Sequence, residues 1–269
     1  MTSARPLSLI TGASSGIGAE FARQLAALGH DLVMTARRVE RLESLADELR
    51  AQHGAQVTVL PHDLADLAAV QWLCDALDQR GLQVDWLINN AGYGVPGTFD
   101  ASDWPTHAAF LRVLLTAPTE LAWRLLPGMQ QRGRGRIINV ASLAGHVPAP
   151  AGHTLYAASK AYLIKFSQAL ALENQSRGIH VCALCPGFTW SEFHDVTGTR
   201  GKMDQLPGYM WLSAAEVVRQ GIAAVERGDA VYIPGKLNRF IKTVMQLMPD
   251  RLALRLSARQ GTRYRSTQP

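Results

Sequence analysis

The sequence predicts an α/β protein: a doubly wound parallel sheet of about seven strands, in a single domain that carries a helical C-terminal tail. Two observations carry this prediction. An apolar run at residues 7–10 leads through a glycine-rich turn into an amphipathic helical pattern at 19–28, which stops at Gly29. Short apolar runs then alternate with helical patterns as far as residue 233, and strands joined by helices form a parallel sheet with right-handed crossovers.

Taken in order, the expected strands lie at 7–10, 31–36, 56–60, 84–88, 136–140, 179–184 and 230–233. The expected helices fill 19–28, 39–51, 67–77, 106–131, 156–172 and 213–227. Pro118 interrupts the fourth helix, because proline lacks the N–H that an interior position needs. Residues 1–235 read as one domain and 236–269 as a basic amphipathic tail.

The first turn is Thr11-Gly12-Ala13-Ser14-Ser15-Gly16-Ile17-Gly18. A glycine turn between strand and helix is the context of a dinucleotide site. Glycine lets the backbone approach a pyrophosphate, and the helix N-terminus favours its charge. The sheet is therefore expected to be Rossmann-type. The second strand ends in Arg37-Arg38, with no acidic residue from Leu32 to Arg38. An acid there would accept from an adenosine 2′-hydroxyl, whereas arginine accommodates a 2′-phosphate. NADP(H) is thus the preferred cofactor and NAD(H) the weaker fit. After the fourth strand, Asn89-Asn90-Ala91-Gly92 makes a polar turn at a strand carboxyl end, where ligands bind in such sheets.

The chemistry falls at the start of the helix over 156–172, which contains neither proline nor glycine. Tyr156 and Lys160 stand at i and i+4, on one face. A phenol with a free pKa of about 10 is a poor acid or base at neutral pH. An adjacent ammonium stabilises the phenolate and lowers that pKa, which makes an acid/base pair.

Composition excludes several alternatives. No run of about 18 apolar residues is present, so no membrane-spanning helix is expected. Met1 runs almost directly into the first strand, leaving no room for a cleavable leader, so a cytoplasmic protein is expected. Three cysteines, Cys74, Cys182 and Cys185, do not make a disulfide framework. Cys182 and Cys185 fall on opposite sides of an apolar strand, and no second pair follows. Glu192, His194 and Asp195 lack wider ligand spacing and read as solvated loop residues, so no metal is expected. The pI near 9.3 suggests a nucleic-acid partner, but the location of the charge argues against one. Residues 236–269 hold eight basic side chains and one acidic, a net +7 in a chain of +5, so residues 1–235 sum to −2.

The glycine turn, Asn89-Asn90-Ala91-Gly92, Ser142, Tyr156-x-x-x-Lys160 and Pro186-Gly187 occur in this order over residues 7–234. Together they resemble the single-domain short-chain dehydrogenase/reductase family. That resemblance implies Tyr156 as the acid/base and Lys160 as the residue that lowers its pKa and holds the nicotinamide ribose. It implies Ser142 as a donor to the substrate oxygen, where negative charge develops. It places Gly12, Ser14, Ser15, Gly16, Ile17 and Gly18 at the pyrophosphate, and Asp63 and Leu64 at the adenine. Asn90, Ala91 and Gly92 border the cofactor, Pro186 and Gly187 follow the sixth strand, and Thr189 meets the carboxamide. A homo-oligomer is expected.

Two departures stand out. Ser142 and Tyr156 are fourteen apart, one residue more than the family's usual spacing. Leu114 stands where the family usually has a catalytic Asn, which serves largely through its backbone carbonyl by holding a water linked to the lysine. Pro118, four residues on, deprives the Leu114 carbonyl of its helical partner. A kinked helix with that carbonyl freed is the expectation.

Residues 188–212 carry Phe188, Trp190, Phe193, Met203, Tyr209, Met210 and Trp211. The resemblance makes this segment a lid, and its composition suggests either an apolar carbonyl or alcohol substrate, steroid-like, retinoid-like or long-chain acyl, or side chains that pack on the body or a partner subunit. His146 and His153 border the active-site loop. In the tail, Leu237, Phe240, Ile241, Val244, Met245 and Met248 form an apolar stripe, with Lys236, Arg239 and Lys242 off it. Such a helix either docks on protein, the favoured reading, or makes peripheral contact with an anionic membrane. The expected activity is NADP(H)-dependent interconversion of a carbonyl and an alcohol. The alternative, which Leu114 supports, is a catalytically impaired nucleotide-binding sensor or interaction protein on the same fold.

Overall fold

The computed structural model describes residues 5–190 and 208–264, with side chains described to residue 258. Its strands are β1 (Leu7–Thr11), β2 (Asp31–Thr35), β3 (Val57–Val59), β4 (Trp86–Asn89), β5 (Gly135–Val140), β6 (Ile179–Leu184), β7 (Thr189–Trp190), β8 (Leu212–Ser213) and β9 (Val231–Tyr232). Seven of them form one parallel sheet in the order β3-β2-β1-β4-β5-β6-β9. The helices are α1 (Gly16–Ala27), α2 (Val39–His53), α3 (Ala69–Asp78), α4 (Trp104–Leu111), α5 (Ala117–Arg132), α6 (Thr154–Asn174), α7 (Ala214–Arg227), α8 (Lys236–Leu247) and α9 (Asp250–Tyr264).

The strands are nearly continuous in apolar residues because both faces of the sheet are covered. Successive side chains alternate between those faces. Ile10, Met34, Ile88, Ile138 and Cys182 pack with Phe21 and Leu25 of α1, Leu42 of α2 and Val217 of α7. Leu9, Val33, Leu87, Ile137 and Val181 pack on the other side with Leu73 of α3, Leu121 of α5 and Leu170 of α6. The chain winds outward from β1 to β3, then returns to place β4 beside β1. That reversal opens a crevice at the strand carboxyl ends, the position of ligand sites in such sheets.

Two elements depart from expectation. Strands β7 and β8 pair in a separate parallel ribbon, Thr189 with Leu212 and Trp190 with Ser213. The helix over 106–131 is also not one kinked α-helix. Residues Arg112–Thr116 form a π-helical turn between α4 and α5, in which Ala117 N–H donates to the Arg112 carbonyl five residues back. Pro118 therefore falls in the first turn of α5. The backbone stays helical through Leu111, Thr116 and Ala117, so the missing N–H of Pro118 withholds a donor from the carbonyls of the π-helical turn before it. Among the described residues, no helix is long and apolar enough to cross a membrane.

Candidate active site

A cleft of about 720 Å³ opens at the carboxyl ends of β1, β4, β5 and β6. Its floor is the turn between β1 and α1. Gly12, Ser14, Ser15, Gly16 and Ile17 line it, whereas Gly18 does not. A Cβ on Gly18 would collide with the Gly12 carbonyl and the Asn90 amide. Gly18 thus lets α1 approach the turn from beneath.

Arg38 lies across this turn. Its Nε and Nη2 donate to Ser14 Oγ at 3.2 and 3.1 Å, and Nη2 also donates to Ser15 Oγ at 2.6 Å. Arg37 pairs with Asp63 at 3.8 Å, both side chains largely exposed. All five of these residues, together with Leu64, line the cleft. Asn90 also lines it, but its polar atoms serve the turn. Its backbone N–H donates to Thr11 Oγ1 at 3.0 Å, and its amide donates to the Thr11 and Gly12 carbonyls at 3.0 and 3.2 Å. Ala91 and Gly92 complete this wall.

Ser142, Tyr156 and Lys160 meet at the other end. Between Ser142 and Tyr156 the chain passes through the loop over 143–153, which begins with a 3₁₀ turn at Leu143–Gly145. Ser142 Oγ accepts from Ala144 N–H at 3.1 Å, which orients the hydroxyl and leaves its proton to donate. Lys160 is buried and donates to the Val140 carbonyl at 2.7 Å. Its Nζ stands 5.6 Å from the centroid of the Tyr156 ring. Burial pulls the Lys160 ammonium down to about 8. Pro186, Gly187 and Thr189 close this end, with Thr189 Oγ1 donating to the Gly187 carbonyl at 3.2 Å.

His146 and His153 border the active-site loop in sequence, whereas Asn139, Ser167 and the cleft-lining residues of the tail escape a reading of local sequence. His153 lines the cleft and meets the Tyr156 ring edge-on, with centroids 5.9 Å apart. His146 lies outside the lining, and burial lowers its pKa. Beneath the site, Asn89 donates to Asn139 Oδ1 at 2.9 Å and to the Pro118 carbonyl at 3.2 Å, and Asn139 donates to Ser167 Oγ at 2.8 Å. This buried chain ties β4, β5, α5 and α6 together under the cleft. The tail also reaches the site. Ile241 and Met245 of α8 and Ser257 of α9 line the cleft.

Of the aromatic segment, Phe188 and Met210 line the cleft. Trp190 and Trp211 stack with each other at 4.3 Å, and Tyr209 is exposed. Phe193, Met203, Glu192, His194 and Asp195 lie outside the described residues. Cys182 and Cys185 pack in different core clusters. Burial pushes the Cys182 thiol up to about 12 and raises Cys185 as well.

The cleft suits a nicotinamide dinucleotide. A glycine turn at a helix N-terminus and two arginines hold one end, and a hydroxyl, a phenol and an ammonium converge at the other. Known proteins agree with this. Nodulation protein G of Rhizobium sp. (strain N33) is 37% identical over 234 residues, which cover 85% of this chain and 92% of that protein. A short-chain dehydrogenase from Sphingobium yanoikuyae, solved in complex with NADPH, is 33% identical with a TM-score of 0.79, over 91% of this chain and 96% of that one. The bulky-bulky ketone specific alcohol dehydrogenase from Comamonas testosteroni is 31% identical with a TM-score of 0.74, over 91% and 95% of the two chains. The family model for short chain dehydrogenase matches residues 7–200. The chain belongs to the short-chain dehydrogenase family, oxidoreductases that act on CH–OH groups with a nicotinamide cofactor.

Proposed function

We propose that this protein is an NADPH-dependent reductase of ketones with apolar flanks, with Tyr156 as proton donor. The observation that carries the reading is the convergence of Ser142, Tyr156 and Lys160 on one cleft that the apolar side chains of Val147, Phe188, Met210, Ile241 and Met245 also line. The similarity to a dehydrogenase specific for bulky ketones supports the same substrate class. Arg38, held over Ser14 and Ser15, supports NADP(H) over NAD(H).

When bound, the dinucleotide supplies or accepts the hydride. Tyr156 holds the proton at Oη that passes to the carbonyl oxygen as that oxygen gains charge. Ser142 Oγ donates to the same oxygen and stabilises the developing alkoxide. Lys160, fixed by the Val140 carbonyl, keeps a positive charge beside the phenol and favours the phenolate left behind. In the alcohol-oxidising direction the same groups act in reverse. A homo-oligomer is part of this reading.

The test is NADPH oxidation against a panel of bulky apolar ketones, with direct cofactor binding measured alongside. Tyr156→Phe should abolish turnover and leave NADPH binding nearly intact, because only the titratable hydroxyl is lost. Substantial activity in Tyr156→Phe would refute the proton-donor role. Tight NADPH binding with no turnover of any ketone or alcohol would favour a nucleotide sensor instead.

A further inference from the structure

Helix α8 presents apolar residues on two sides. Its inner side carries Leu237, Ile241 and Met245, partly buried, and the last two line the cleft. Asn238, buried, anchors this side by donating to the Pro234 carbonyl at 2.8 Å. The outer side carries Phe240, Val244 and Leu247, which are 66%, 38% and 81% exposed. Their spacing of i, i+4 and i+7 makes one ridge. On α9, Leu252 and Leu256 are likewise exposed at i and i+4, Leu254 is exposed on another side, and Ala253 and Ser257 are buried. The apolar stripe expected from the sequence is thus divided between the cleft and the outer surface.

Cations accompany this outer ridge. Lys236, Arg239, Arg251 and Arg255 are all exposed, and Asp250 is the sole acid among residues 236–258. Single exposed apolar residues are ordinary on protein surfaces. Five at helical spacing on two consecutive helices, interleaved with four exposed cations, form an interfacial pattern. The charge selects the occupant. A second copy would set one tail of +7 against another through the same face. An anionic surface is complementary to it, and the body at −2 adds nothing to that attraction.

We propose that the outer side of α8 and α9 docks on an anionic lipid bilayer. Phe240, Val244 and Leu247 enter the interface while the flanking arginines and lysine meet the headgroups. Because Ile241 and Met245 of the same helix line the cleft, one helix then separates the bilayer from the substrate site. An apolar substrate would be drawn from the membrane. The docking itself does not depend on which ketone is reduced.

The test uses the full chain and sedimentation with vesicles, either phosphatidylcholine alone or phosphatidylcholine mixed with phosphatidylserine. The expected result is co-sedimentation with the mixed vesicles at low salt, little with phosphatidylcholine alone, and release at high salt, where charges more than about 3 Å apart are screened. The double variant F240D/L247D should lose vesicle binding and keep wild-type turnover of a water-soluble ketone, since neither side chain lines the cleft. Charge reversal by K236E/R251E should do the same, with Arg239 left in place because its Nη1 donates to the Ile233 carbonyl at 3.0 Å. Failure of the wild type to bind mixed vesicles at low salt overturns the proposal, as does equal binding to neutral vesicles. So does undiminished binding by F240D/L247D. If that variant instead breaks a dimer of a wild type that binds no vesicles, the face belongs to a second copy. Vesicle binding is read without turnover, so an error in the assigned substrate does not affect this result.

Discussion

Lys160 donates from Nζ to the backbone carbonyl of Val140 at 2.7 Å. The bond joins the start of α6 to the end of β5 and holds an ammonium out of water.

That burial has a consequence for stability. Lys160 titrates at about 8 in the folded protein, against 10.5 in an ordinary setting, because burial disfavours its charged form. Between these values the unfolded chain binds more protons, so stability rises with pH across that window. Below about 8 the full cost is present, about 3 kcal/mol by linkage. Urea unfolding of wild type and Lys160→Met, without cofactor, should show the wild type gaining on the variant by an amount of this order from pH 8 to 10.5. A difference that stays flat with pH would mean that Lys160 keeps its usual range.

Cofactor choice should depend on Arg38 more than on Arg37. Arg38 is held by Ser14 and Ser15, whereas Arg37 is 68% exposed and pairs loosely with Asp63. Arg38→Ala should raise KM for NADPH by about tenfold or more, about 1.4 kcal/mol, and leave NADH little changed. Arg37→Ala should have the smaller effect. Equal losses for both cofactors in Arg38→Ala would mean that the side chain only braces the turn.

Leu114 is buried, and a Cβ on Gly92 would stand 3.8 Å from both Leu114 Cγ and Lys160 Nζ. An amide placed there comes near the ammonium but enters an apolar layer. Leu114→Asn should change turnover by less than about tenfold and cost about 1–3 kcal/mol of stability for an imperfectly bonded amide. Pro118→Ala should affect turnover more, since it restores an N–H that competes for carbonyls of the π-helical turn. A large rate gain from Leu114→Asn, with Pro118→Ala silent, would show that the missing side chain limits the enzyme.

The tail is seated at Gly187. A Cβ there would lie 2.5–2.7 Å from the Asn238 side chain, so α8 packs directly on the turn after β6. Gly187→Ala should destabilise the protein by about 1–3 kcal/mol through overpacking. Asn238→Gly should restore part of that loss in the double variant, because contacting residues are not additive. Chemical denaturation of the four proteins in the cycle measures the coupling. Additive effects would mean that α8 is not seated on Gly187.

The sequence by itself determined the sheet and most of its helices. Strands buried on both faces must be short apolar runs, and the helices between them must be amphipathic, so the alternation is visible residue by residue. The Tyr156 and Lys160 pair was equally legible, because the spacing i to i+4 already fixes a shared helical face. Arg37 and Arg38 could be assigned to the cleft because the end of β2 has a set place in a doubly wound sheet.

Only the tertiary structure decided the rest. Strands β7 and β8 are two residues each, too short to show a period, and exist because Thr189 finds Leu212. The π-helical turn before Pro118 stands in place of the expected kink, since one extra residue absorbed upstream lets the helix continue past a residue that has no N–H to give. Asn89, Asn139 and Ser167 are distant in sequence, and their hydrogen bonds require β4, β5 and α6 to be packed first. The tail's apolar stripe revealed that α8 was amphipathic. Only packing against Gly187 determined which residues, Ile241 and Met245, would face the cleft, and which, Phe240, Val244 and Leu247, would remain outside.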